Sequence, residues 1–379
     1  MNAVVLVTAT RTGDDAPDDA AAGHIRALER HVQQLAVVAD PVRCETGDAR
    51  DDAWGAHGWA DEAVGELFAF EEVLREALGA ALSQTGEAVL IVDGDLGRVE
   101  RVSRIARERR VPLLWWRHGA ASREPVTRAV EGVDGILTSD TDSSLDAAGI
   151  PSWVVGAGTD LSSFAPRRAL PSRPPLRLLS FGGTAPDRRL TVVVRALARA
   201  RGRGVDARLM IVGAFSTDAE REQRREVEAL AADLVLTRSV RFGGEVAARD
   251  MPVLLREVHA LIDAGTYLEP DRASLETMAS ARLVLSSAPG NSTLLECSPL
   301  PLRFEIDDLD QLADRIAGLA NAWADELTDA ATALRAAVVE RHSLERWAMR
   351  ISEVLEDLRA EDGASPAAPL EADADRLSE

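Results

Sequence analysis

The chain has 379 residues, 46% of them apolar, so it has room for two domains with full cores and is not disordered as a whole. Its 63 acidic residues outnumber 43 basic ones, for a net charge of −20. That excludes a general nucleic-acid binder or a polybasic membrane-surface protein, since both need a positive field. There is no lysine, which removes Schiff-base chemistry, pyridoxal-phosphate attachment and the lysine-bearing phosphate loop, and leaves arginine to meet any phosphate.

The apolar run at residues 3–7 reads as a buried first strand. It has no basic leader or cleavage site, so it is expected as a strand and not as a signal peptide. Residues 11–22 are an acidic loop, 23–30 a helix and 35–38 a second strand; 51–59 form a loop. Helical spacing of Leu67, Phe70, Leu74 and Leu78 predicts a helix over 62–82. Strands follow at 88–92, 113–116, 135–138 and 153–155, with helices at 99–110 and 143–148. Alternation of this kind implies a parallel sheet covered on both faces. Residues 165–175 carry four prolines and no periodic pattern, which marks a linker.

The alternation then repeats, with strands at 176–181, 208–212, 240–242, 260–262 and 284–286. Leu190, Val193, Val194 and Leu197 share one face of a helix, and Leu312, Ile316, Leu319 and Trp323 share one face of another. A last amphipathic helix spans 344–358, and the acidic, Ala/Pro-rich tail from Ala360 reads as disordered. The expected division is 1–165 for the first domain, 166–175 for the linker, 176–340 for the second domain, 341–359 for a terminal helix and 360–379 for the tail. Two such domains face a cleft between the carboxyl ends of their sheets, where ligands bind.

Cys44 and Cys297 belong to no CxxC and have no metal spacing around them, so both are expected as reduced thiols of a cytoplasmic protein. No run approaches the ~18 apolar residues of a membrane span. Asp14, Asp15, Asp18 and Asp19 lack the Gly and Glu of a calcium loop, and no metal is assigned to them. Among the tryptophans, Trp54, Trp59, Trp115 and Trp116 are expected in core or rim packing rather than stacked on a sugar acceptor.

Strand-like runs ending in glycine are the strongest feature of the chain. LLSFGG, DRR, LMIVG, VRFGG, HALIDAGTYLEP and SLETMASARLVLSS occur in that order between Leu178 and Ser287. Glycine-ended strands feeding helices build phosphate sites in parallel α/β sheets. Together with LLWWRHG, GILTSD and VVGAGTDLSSFAP in the first half, this series resembles the GT-B glycosyltransferases of family 4 from Val4 to about Leu358. The resemblance implies an α/β GT-B fold of two Rossmann-like, doubly wound parallel-sheet domains. It also implies a retaining transferase that takes a nucleotide diphosphate-sugar donor, with no obligatory metal or other cofactor.

Site residues carry over by position. Glu276 matches the family glutamate that holds the ribose hydroxyls, a pairing that suits a carboxylate facing a vicinal diol. Glu269 matches the glutamate that contacts the donor sugar, but it stands seven positions before Glu276 where the family has eight. Arg188 matches the family lysine that neutralises the diphosphate, and the adjacent Arg189 is positioned to share that role. Gly182, Gly183 and Gly213 end strands on the donor side; the family has an arginine where Gly183 stands. Phe-Gly-Leu of the family is replaced by Asp271-Arg272-Ala273. Either Asp271 or Ser274 caps the following helix and occupies its amides, or Arg272 points at the phosphate. His118 matches a histidine near the transferred sugar, and Gly23 is the nearest counterpart of the family's N-terminal glycine loop.

The acceptor (glycan, lipid or small molecule) and the oligomeric state are not fixed by the sequence. The replaced arginine, the shortened glutamate spacing and the reduced glycine loop favour an alternative, a non-catalytic GT-B-like protein that binds a nucleotide sugar or serves as a partner subunit. A nicotinamide oxidoreductase is excluded, because Thr8-Ala9-Thr10-Arg11 follows the first strand in place of Gly-x-Gly-x-x-Gly.

Overall fold

The computed structural model describes residues 3–9, 24, 27–28, 30–32, 34–40, 60–93, 96–117, 132–139, 150–166, 169–181, 188–213 and 217–363. The expected helix at 143–148, the loops at 11–22 and 51–59, Cys44, Trp54, Trp59 and the tail beyond 363 lie outside them. The first sheet contains β1 (Ala3–Ala9), β2 (Gln34–Asp40), β3 (Val89–Asp93), β4 (Leu113–Arg117), β5 (Gly135–Thr138) and β6 (Ser152–Val154). Its order is β2-β1-β3-β4-β5-β6 and every pairing is parallel. Helices α1 (Ala60–Thr85) and α2 (Leu96–Arg109) connect its strands.

The second sheet contains β7 (Leu176–Phe181), β8 (Ala207–Val212), β9 (Val240–Phe242), β10 (Ala260–Asp263) and β11 (Leu283–Ser286). It runs β11-β10-β7-β8-β9, again all parallel. Its helices are α3 (Leu190–Gly202), α4 (Asp218–Asp233), α5 (Met251–Arg256), α6 (Arg272–Ala279), α7 (Ser292–Leu295), α8 (Leu309–Asn321) and α9 (Ala324–His342). Strands β4, β5, β10 and β11 are buried along their whole length. Helices on both faces require this, and it explains why these segments read as unbroken apolar runs. Both sheets are doubly wound, as expected. The order reverses between β1 and β3 in one and between β7 and β10 in the other, and open α/β sheets place ligands at such a reversal.

Local chemistry sets the helix starts. Thr217 accepts from the Glu220 backbone while Glu220 accepts from the Thr217 backbone, a reciprocal cap that opens α4. Asp308 caps α8 through the Gln311 amide at 2.8 Å. Leu190, Val193, Val194 and Leu197 of α3 are all buried, as their spacing predicts.

Trp323 corrects one expectation. Helix α8 ends at Asn321, and Trp323 precedes α9, where it is 78% exposed. The i, i+4 match to Leu319 therefore runs through a helix break. Its backbone N–H is taken by Glu326 at 2.6 Å, so the residue starts the next helix instead of extending the last.

The last helix, α10 (Leu344–Gly363), begins where the sequence places it and continues past Ala360, where a disordered tail was expected. It leaves the second domain and packs on the first. Trp347, Ala348, Ile351, Val354 and Leu355 join Val4, Leu6, Val89, Ile91 and Leu114 in one buried cluster. Trp115 and Trp116 are both in the core, as expected, and Trp116 lies 4.7 Å from Trp347, centroid to centroid. The two chain crossings between the domains run side by side. Thr159 donates its amide to His342 and accepts from Leu344 at 3.2 Å. Gly156 and Gly158 are required there. Both have positive φ, and an added Cβ would stand 2.4 Å from the Arg341 carbonyl oxygen and 2.2 Å from the His24 ring, respectively.

Candidate active site at the carboxyl edge of the second sheet

The reversal between β7 and β10 gathers most of the buried polar chemistry of the second domain. Strand β10 ends in Asp263, whose carboxylate accepts from the Gly265 amide at 3.1 Å, from Ser274 at 3.4 Å and from Ser286 at 3.2 Å. The Asn291 side-chain amide completes the set, donating to Asp263 at 3.0 Å. Burial pushes the Asp263 carboxyl up from the ordinary aspartate range, and repulsion from Asp271 adds to this; Arg188 and the hydrogen bonds from Gly265 and Ser286 pull the other way.

Arg188 lies after β7 and before α3 and reaches into this cluster. Its guanidinium is 3.1 Å from Asp271, 3.8 Å from Asp263 and 4.9 Å from the centroid of the Tyr267 ring. Burial opposes its charge, but Asp271, Tyr267 and Asp263 outweigh that, and its pKa is raised. It is a fixed cation. Arg189, the next residue, occupies left-handed backbone at φ 49 and pairs with Asp307 instead. The turn between the two residues thus sends one guanidinium inward and the other to a carboxylate near the start of α8.

Helix α6 carries the glutamate at 276. Its side chain is buried and accepts from Arg272 at 2.7 Å, one helical turn back. Of the two arrangements left open for the replaced glycine turn, neither is the one found. Asp271 occupies the N-cap position with no side-chain cap bond, and its carboxylate turns to Arg188. Ser274 turns to Asp263. Arg272 pairs with Glu276. No side-chain cap from Asp271 closes the start of α6, whose amides carry the positive end of the helix dipole. Ala273 is buried in that first turn.

Glu269 sits in the loop before α6, buried, and bridges the domains. Its carboxylate accepts from the hydroxyl of Ser139 and from the Ser139 amide at 3.3 Å, at the end of β5. Its backbone is pinned by Gly290, where an added Cβ would stand 2.2 Å from the Glu269 carbonyl carbon. Gly290 also donates its amide to Tyr267 at 2.9 Å. Gly265 leaves room for the Tyr267 ring, 2.3 Å from where a Cβ would stand. Gly213 ends β8 with φ 149 and donates to the Gly244 carbonyl at 3.0 Å.

His118, Gly23, Gly182 and Gly183 lie outside the described residues. His24, beside Gly23, packs edge-on against Trp116 and Trp347 and meets the Ala157 carbonyl at 3.1 Å. The structure therefore brings together Arg188, Arg272, Ala273 and Glu276 around the start of α6, with Glu269 on the loop that leads into it. It adds Asp263, Tyr267, Asp271, Ser274 and Asn291, which the sequence reading missed or placed otherwise. A lone Asp ending an apolar strand was the signal for Asp263. Asn291 gave no sequence signal, since only the tertiary fold carries it to the strand end. Among the described residues no group of His, Cys, Asp and Glu is arranged to hold a metal ion, and no helix is long and apolar enough to cross a membrane.

Residues 175–322 match the sequence model of the family described as glycosyl transferases group 1. No curated protein matches the sequence. Solved structures match over nearly the whole chain. A glycosyltransferase from Rickettsia africae is 12% identical, covers 94% of this chain and 98% of its own, and superposes with a TM-score of 0.69. Anabaena HepE in complex with UDP-glucose is 12% identical, with 94% and 99% covered and a TM-score of 0.66. Sucrose-phosphate synthase from Thermosynechococcus elongatus is 14% identical, with 95% and 100% covered and a TM-score of 0.64. At such identities the likeness is one of fold. Residues 175–322 thus match the group 1 glycosyl transferases, and the two-domain architecture as a whole is the GT-B fold.

Proposed function

We propose that this protein is a retaining glycosyltransferase that moves a sugar from a nucleotide diphosphate-sugar donor to an acceptor hydroxyl. The observation that carries the reading is the placement of buried Glu276 and the fixed cation Arg188 at the reversal of a sheet in the matched domain. In this reading Glu276 holds the ribose and Glu269 orients the donor sugar. Arg188 and the first-turn amides of α6 stabilise the charge that develops on the departing diphosphate, which is the electrostatic part of the rate enhancement. Contact between Ser139 and Glu269 closes the cleft and keeps water from the donor. Anabaena HepE is described in complex with UDP and with UDP-glucose, which makes uridine nucleotides the first probes.

Isothermal titration with UDP, GDP and ADP tests the reading, followed by transfer and hydrolysis assays with the matching nucleotide sugars. Binding of one nucleotide, weakened in Glu276→Ala, together with turnover of its sugar nucleotide, is the expected result. Failure of all three nucleotides to bind would overturn it. One observation favours a second reading, a nucleotide-sugar-binding protein without turnover: Arg188 is already engaged by two carboxylates. Binding without transfer or hydrolysis in the same assays identifies that case.

A further inference from the structure

The cation at the proposed diphosphate site is shared with two acids that differ in kind. Asp263 is sealed in, its carboxylate held by the Gly265 amide, two hydroxyls and the Asn291 amide. It belongs to the scaffold. Asp271 is less deeply buried: its side chain is 18% exposed against 2% for Asp263, and it stands at the mouth of α6 without capping it. Its carboxylate meets the same guanidinium that a phosphate of the donor requires. The other charged groups nearby are Glu276 with its partner Arg272, and Glu269 held by Ser139.

We propose that Asp271 is a specificity-determining residue that makes this site favour the intact nucleotide sugar over the nucleoside diphosphate it releases. The inference rests on the reading that this site holds the donor diphosphate. The chemistry is charge counting. In the intact donor the terminal phosphate is a diester with one ionisable oxygen. After transfer it is a monoester whose second ionisation falls near pH ~6, so at neutral pH the product carries an additional negative charge. A carboxylate fixed 3.1 Å from the shared guanidinium repels that additional charge, and part-burial preserves the repulsion against screening. Asp271 therefore weakens the product more than the donor and speeds its departure.

The test compares dissociation constants for UDP and UDP-glucose, GDP and GDP-mannose, and ADP and ADP-glucose in the wild type, Asp271→Asn and Asp271→Glu. Asparagine is as good an N-cap as aspartate, and no cap bond is lost, so the variant should fold; Asp271→Ser serves if it does not. For the pair that binds, Asp271→Asn is expected to tighten the diphosphate by on the order of tenfold and the nucleotide sugar by less. Their ratio then falls at least about threefold, Asp271→Glu restores it, and the product inhibition constant falls in parallel. Asp314→Asn, which removes an equal charge from an exposed pair with Arg203, leaves the ratio unchanged. An unchanged ratio in Asp271→Asn, or equal shifts in Asp271→Asn and Asp314→Asn, overturns the proposal while the transferase reading stands. If no nucleotide binds any of the proteins, both fall together.

Discussion

Both sheets are wholly parallel and covered on both faces, yet their carboxyl edges bury different things. At the second sheet the reversal point holds a connected polar network, in which Ser274, Ser286 and the Asn291 side-chain amide all donate to Asp263 and Arg188 stands 3.8 Å from it. Among the described residues of the first sheet, the corresponding region holds buried Arg117, Thr138 and Ser139, Arg98 on the Asp93 carbonyl, and the aromatic contact of His24, Trp116 and Trp347. A polar network needs every partner in place, because each orphaned group costs a full desolvation penalty. An aromatic cluster tolerates small shifts. The polar groups at the edge of the second sheet are thus held in one geometry by directional hydrogen bonds.

The comparison breaks first at its most buried members. Arg188→Ala strands two carboxylates, so it should destabilise the second domain by about 3–5 kcal/mol and abolish nucleotide binding. Urea unfolding and titration calorimetry read the two losses; normal stability would show that the network does not depend on its cation. Trp347→Ala is the counterpart in the first domain. Trp347 is fully buried, and the cavity should cost about 3–5 kcal/mol while nucleotide affinity at the second sheet stays near wild type. Loss of affinity of the Arg188→Ala kind would mean the two edges are not independent.

A smaller effect tests the bridge between them. Ser139→Ala removes the hydroxyl that meets Glu269, and Ser139→Thr retains it. The alanine variant should raise KM for the donor severalfold and increase the share of donor lost to hydrolysis, with threonine restoring both. Equal behaviour of the two variants would leave the contact without a role in closure. The smallest effect concerns pH. The raised pKa of Asp263 means that its contribution to stability is complete below its unfolded-state pKa and declines as pH climbs through the folded value. Asp263→Asn has no such group, so the Tm of the variant relative to wild type should rise between pH 4 and pH 7. A difference independent of pH would count against a strained Asp263 carboxylate.

Much of the architecture was legible because parallel strands with two covered faces leave unbroken apolar runs. Strands β5, β7 and β9 have the boundaries that composition alone predicts, and the others differ by a residue or two at the ends. Helix α9 was not foreseen: three of its seven buried positions are alanine, at Ala330, Ala331 and Ala337, which give little contrast against an Ala-rich sequence. Trp323 misled for the opposite reason, since a large apolar residue at the right interval outweighed the missing helix between. At the site, the glutamates and Arg188 stood out because short motifs mark them. The destination of their partners did not. Nothing in the order Asp271-Arg272 says that the acid turns to Arg188 and the base to Glu276, because that choice is made by residues 83 positions away in one case and 4 in the other.

The return of α10 to the first domain has a consequence for how the protein is made. Much of the layer that seals one face of the first sheet, over Val4, Leu6 and Ile91, is supplied by α10. A nascent chain must therefore carry β1, β3 and β4 without that part of their cover until residues 344–358 have been synthesised. The first sheet is thus completed only after the whole second sheet has been made, and loss of Trp347 and the residues after it would leave part of that face open to water.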